Sequence, residues 1–147
     1  MPFFVDRSPP GQCIFCRLVS HEIPASIVWE DAQTLAFMDL GQVNPGHVLV
    51  ASKRHAATVL DLSADEAAAV MRTAHRVAQA IAATFDPPGL TLLQANGQEG
   101  EQTVFHFHMH VVPRHAGDGI VLTWPRKEPP REVLQAHADR LKQVMNR

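Results

Sequence analysis

The chain contains no tyrosine, only two cysteines and no excess of either charge, with 13 basic against 15 acidic residues among 147. Each shortage excludes something. A formal net charge of −2 offers no basic stripe, so nucleic acid is not an expected partner. No apolar run approaches the ~18 residues of a membrane helix, so no membrane partner is expected either. The apolar opening, Phe3-Phe4-Val5, is broken by Asp6 and Arg7 and does not read as a secretory signal. One Cys-x-x-Cys, Cys13 and Cys16, is too little for a disulfide framework. A cytoplasmic location is therefore expected, where both thiols stay free for a metal or for redox work. With no repeat and no interior linker, residues 13–147 read as one domain behind a Pro/Gly-rich lead-in over 1–12.

Histidine and proline are what the chain has in surplus, nine and eleven residues. Imidazole titrates near neutral pH and ligates metals, so the histidines are the first pointer to chemistry.

Residues Ile14 to Val19 read as a short helix. Ser26 to Glu30 and Thr34 to Asp39 read as strands around an Asp31-Ala32-Gln33 turn, and His47 to Ala51 follows Asn44-Pro45-Gly46 as a third strand. Ser63-Ala64-Asp65-Glu66 is a capping box, in which serine and glutamate each satisfy a free amide at a helix start. Val70, Ala74, Val77, Ala78 and Ile81 then recur at helical spacing as far as Phe85. Leu90 to Gln94 and Val104 to Pro113 read as two more strands. A last helix starts at Pro129-Pro130-Arg131-Glu132, with Val133, Leu134, His137, Leu141 and Val144 on one face. This order predicts an α+β domain, an antiparallel sheet with helices on one side.

In Val104-Phe105-His106-Phe107-His108-Met109-His110-Val111 the period is two. His106, His108 and His110 therefore share one face of a strand, about 6.6 Å apart, while the apolar residues share the other. Such a row offers nucleophile, acid, base or ligand to one substrate. It equally fits a catalytic zinc on a His-x-His pair with a third histidine, in which a metal-bound hydroxide attacks instead of an imidazole. Cys13 and Cys16 make half of a tetrahedral site, for which His55 and His106 are the available completions; an idle pair of thiols is an equal reading.

Together, Cys13-Ile14-Phe15-Cys16, Ile23-Pro24-Ala25, Leu35-Ala36-Phe37-Met38-Asp39, Pro45-Gly46-His47-Val48-Leu49-Val50 and His106-x-His108-x-His110 resemble the histidine triad (HIT) family, in particular its Hint-like branch in bacterial, zinc-bearing form. The resemblance covers about Cys13 to Arg114, a core of 13–114, and leaves 115–147 as a C-terminal extension. It implies a five-stranded antiparallel sheet with a long helix and a C-terminal helix, a homodimer, and a purine nucleotide substrate cleaved at its α-phosphorus. By that resemblance His108 is the nucleophile, His110 contacts the phosphate and handles the leaving-group proton, and His47 supports the imidazoles. Gln102 and Thr103 would touch phosphate, Asn96 would join the polar rim, and Asp39 would accept from the ribose hydroxyls. Ile14, Phe15, Leu18, Phe37 and Leu40 would wall the base pocket. The zinc-bearing relatives imply Cys13, Cys16, His55 and His106 as ligands of a structural zinc, with no catalytic cofactor. Nucleoside phosphoramidates are the leading expected substrates and diadenosine polyphosphates the runner-up, with a nucleotide-binding regulator of weak activity as the rival from another class. A nucleotidyltransferase is disfavoured because its branch has glutamine where His110 stands.

Three departures mark the chain. Glu101 replaces a glycine in the loop before the triad, Gln42 stands where proline is frequent, and the tail carries its own helix.

Overall fold

The computed structural model describes residues 4–147; residues 1–3 of the lead-in lie outside the described residues. In chain order the elements are α1 (Ile14–Val19), β1 (Ile27–Glu30), β2 (Thr34–Met38), β3 (Val48–Ser52), a 3-10 turn (Val59–Asp61), α2 (Ala64–Phe85), β4 (Gly89–Leu93), β5 (His108–Arg114) and α3 (Arg131–Met145). The five strands form one sheet in the order β1-β2-β3-β5-β4, with every pairing antiparallel.

The α2 start follows from its capping box. Ser63 accepts from the Glu66 amide at 3.1 Å and Glu66 reaches back to the Ser63 amide at 2.9 Å. Its apolar stripe, Val70, Ala74, Val77 and Ile81, is buried with Ala36, Val48, Val50, Phe107 and Val111 on one face of the sheet. Alternation sends Leu35, Phe37, Leu49 and Ala51 to the other face, where they pack with Cys13, Phe15 and Leu18 of the α1 region. The expectation of helices on one side is thus corrected: α1 and α2 sandwich the sheet. The centre needs cover on both faces because its strands are apolar at consecutive positions, as the wholly buried β3 shows.

Two further expectations change. β5 begins at His108 and not at Val104, because the Phe107 amide turns to the Ala56 carbonyl (2.7 Å) and leaves the ladder. The amphipathic α3 forms where expected, yet it buries none of its residues. The lead-in is also better fixed than its composition implies. Asp6 bridges Val104 in parallel fashion and exchanges backbone bonds with Thr103 and Phe105, both 2.8 Å.

Candidate active site

Sheet register brings the histidines together. His108 pairs with Ala51 and His110 with Leu49, so both rings rise on the α1 face of the sheet beside the start of β3, where His47 stands. That approach requires glycine at position 46. Gly46 has φ +98°, and a Cβ there would lie 2.8 Å from the Phe85 ring at the end of α2. The expected alignment of three imidazoles on one face holds even though His106 precedes the strand. Phe15 meets His106 and His108 edge-on, with centroids 6.0 and 4.9 Å apart, and the His108 and His110 centroids lie 5.2 Å apart.

Each imidazole has a distinct set of neighbours. Nδ1 of His108 lies 2.7 Å from the His106 carbonyl, which can only accept, so Nδ1 carries the proton and Nε2 keeps its lone pair. Burial holds this ring neutral by lowering its pKa. On His47, Nδ1 faces the Val43 amide at 3.4 Å, so its proton sits on Nε2, 2.9 Å from Nδ1 of His110. His110 then accepts at Nδ1 and donates from Nε2. Asp39 closes the group, its Oδ2 3.4 Å from His47 Nε2 and 3.9 Å from His110 Nδ1. Desolvation, then the neighbouring His108 and His47, take the His110 pKa down to about 4, with Asp39 opposing. The arrangement presents an unprotonated nitrogen on His108 next to an N–H donor on His110.

These two rings and Asp39 line one end of a cavity of about 250 Å³. Ile14, Phe15, Leu18, Phe37, Leu40 and Thr103, all expected at the substrate, line it as well. Phe15 and Phe37 meet edge-to-face with centroids 5.3 Å apart. Three expected site residues do not line it. His47 sits behind His110, with Nε2 2.9 Å from its Nδ1. Asn96 instead accepts from the Val59 amide at 2.7 Å and bonds to Gln94. Gln102 is buried, accepts from the Gly97 amide (2.8 Å), and donates to the Ala57 and Val104 carbonyls (2.6 and 3.1 Å). With both ends of its amide engaged by backbone, it braces the loop and has no donor left for phosphate.

Several features went unassigned in the sequence reading. Phe4 and Leu49 also line the cavity. Leu49 is recoverable only from the pairing of β3 with β5, whereas Phe4 has no sequence signal at all. Gln42, noticed only as a departure, ties the loop between β2 and β3 shut: it donates to the Asp39 and His47 carbonyls (2.6 and 2.7 Å) and accepts from the Gly46 and His47 amides (3.1 and 3.2 Å). Glu101 occupies the left-handed region at φ +64°, which accounts for a glycine being usual there.

On the far side of His106 lies a second cluster. Sγ of Cys13 is 3.5 Å from His55 Nδ1 and 3.4 Å from His106 Nδ1; Sγ of Cys16 is 3.3 and 3.5 Å from the same atoms. All four ligand atoms fall within 4.8 Å of one another. Ideal tetrahedral zinc bonds place sulfur and nitrogen about 3.6 Å apart, so the four residues fit a metal. The other nitrogen of His106 donates to the Ser52 carbonyl at 2.6 Å, the outer partner a ligating imidazole needs. Burial pushes the Cys13 thiol up to about 11, so a cation is what would ionise it here.

Residues 20–117 match the HIT domain. The chain belongs to the HIT family. It superposes on a HIT family protein from Bacillus anthracis with a TM-score of 0.89 at 37% identity, covering 92% of this chain and 99% of that one. An adenosine 5'-monophosphoramidase of Schizosaccharomyces pombe is 34% identical over 125 residues, 84% of this chain and 91% of that protein. A zinc-bound histidine triad family protein from Mycobacterium smegmatis is 32% identical with a TM-score of 0.71, covering 90% of this chain and 97% of that one.

Proposed function

We propose that this HIT protein is a hydrolase that cleaves nucleotides at the α-phosphorus through a nucleotidyl-histidine, with purine nucleoside phosphoramidates as its substrates. The observation that carries this reading is the His108 ring, tautomer set by the His106 carbonyl, at the wall of a cavity that His110 and Asp39 share. The Nε2 lone pair of His108 attacks phosphorus, a P–N bond to His108 forms, and the P–N bond to the departing amine breaks. That amine needs a proton. An anionic phosphate bound against the His110 ring favours a proton on the His47–His110 pair, and His110 Nε2 delivers it to the amine. Water then takes the place of His108 on phosphorus, returns its proton to His110 and releases the nucleoside monophosphate.

Asp39 suits a ribose rather than a phosphate, since a carboxylate accepts from hydroxyls and repels anions. The apolar end of the cavity suits a base, and the monophosphoramidase activity of the fission-yeast relative supports the amine leaving group. The protein is further proposed to be a cytoplasmic homodimer. Cys13, Cys16, His55 and His106 would hold a zinc, which supplies structural cross-linking and no reaction step.

Adenosine phosphoramidate and diadenosine tetraphosphate, each incubated with wild type and His108→Ala, test the reading. Monophosphate should appear faster from the phosphoramidate, and the variant should lose about 10⁴-fold or more in kcat, as nucleophile removal does elsewhere. Equal turnover by the variant would falsify the role of His108. Faster cleavage of the tetraphosphate would transfer the assignment to dinucleoside polyphosphates.

A further inference from the structure

The aromatic ring of Phe4 belongs to neither a helix nor a strand, and it lies outside the matched span 20–117. Phe4 is 63% exposed, yet it lines the same cavity as Ile14, Leu18, Ile23 and Thr103. An exposed phenylalanine on a loose lead-in would say nothing, but this one sits two residues from a fixed point. The Asp6 amide donates to Thr103 and its carbonyl accepts from Phe105, while its carboxylate accepts from the Ile14 and Ser8 amides at 2.8 and 2.9 Å. Arg7 continues the anchor, with its guanidinium 4.8 Å over the Phe105 ring and a 2.6 Å bond to Gln98. Four hydrogen bonds to the backbone and carboxylate of Asp6 thus hold the chain where Phe4 reaches the cavity mouth.

We propose that Phe4 is a specificity-determining residue, which stacks on the base of a bound nucleotide and completes a pocket whose other apolar walls come from α1, the segment after it, β2 and β3. The proposal rests on the nucleotide reading above. The polar end of the cavity, with Asp39, His108 and His110, is spoken for by ribose and phosphate, so a planar base must extend toward the apolar end where Phe4 stands. A flat heterocycle offers a π-face to an aromatic ring whatever its hydrogen-bonding pattern, so this contact favours nucleotides over phosphorylated sugars. It also buries the aromatic surface that the free protein leaves in water.

The test is direct binding of AMP and of ribose 5-phosphate to wild type, Phe4→Ala and Phe4→Trp by titration calorimetry, with adenosine phosphoramidate turnover followed alongside. Stacking predicts that Phe4→Ala weakens AMP by about 5- to 150-fold and leaves ribose 5-phosphate unchanged, with Phe4→Trp restoring AMP. Because the ring is mostly exposed, Tm should not move. Unchanged AMP affinity in Phe4→Ala overturns the proposal, and so does an equal loss for both ligands, which would mean a structural effect of the strap. Wild type that binds AMP without cleaving the phosphoramidate refutes the hydrolase and leaves Phe4 judged by the same titration. Wild type that binds no AMP refutes both.

Discussion

His108 stands between two clusters that share a residue type and differ in everything else. On one side, His106 and His55 face two thiols in a site with no carboxylate among its four ligand atoms. On the other, His47 and His110 face Asp39 beside a cavity. Soft donors at tetrahedral spacing favour a closed, metal-holding cluster. A chain of imidazoles ending at a carboxylate and opening on a cavity favours proton movement. The two are joined through one residue. His106 offers its ring to the thiols and its backbone carbonyl to His108, so the buried cluster sets the tautomer of the ring that faces the open one.

The largest effect expected from breaking this contrast is on the closed side. Cys16→Ser should take metal content from one zinc per chain to a small fraction, measured by elemental analysis of protein purified without chelator. The accompanying loss of stability is some part of the about 10–16 kcal/mol that a structural zinc contributes in small zinc-finger peptides. His47→Ala, on the other side, should leave the metal in place. If both variants keep or both lose it, the two clusters are not distinct.

Next in size is a change on the open side. His110→Gln should lower kcat for phosphoramidates with basic amine leaving groups by about 10²- to 10⁴-fold, the usual worth of a positioned general acid. An aryl-oxide leaving group that departs without a proton should feel far less of this loss. Equal losses for both leaving groups would assign His110 to phosphate binding alone.

The sequence exposed the faces of these elements better than their limits. Alternation correctly grouped His106, His108 and His110, because side-chain direction has period two. It could not show that the backbone leaves the ladder at Phe107, since that depends on a hydrogen bond to Ala56, which a pattern of side chains does not record. The capping box at Ser63 was legible because it is local. The bracing bonds of Gln102 were illegible for the opposite reason: its partners at Gly97 and Ala57 come from two separate loops, and only the fold brings their backbones to one amide. Phe4 was invisible because Asp6, which fixes it, is anchored to residues about a hundred positions away. The C-terminal helix shows the limit of amphipathicity, which indicates that a face wants cover without naming what supplies it.

The smallest effect concerns protons in the free protein. His110 is held at about 4 by desolvation and its histidine neighbours, while in the unfolded chain it titrates near 6.5. Between these values the unfolded state binds a proton that the folded state does not, so stability rises with pH through this window. Above about pH 7 the contribution is fully present; it is lost as pH falls from 6.5 toward 4. At pH 5.5 the loss attributable to this ring is about 1 kcal/mol. Urea midpoints of wild type and His110→Gln at pH 7.5 and 5.5 isolate it, because acid effects on the Cys13–Cys16–His55–His106 cluster are common to both proteins. The wild type should lose more stability on acidification than the variant. Parallel losses would mean that His110 takes up its proton at the same pH folded as unfolded, and the burial that depresses its pKa, with Nδ1 accepting from His47, would have to be redrawn.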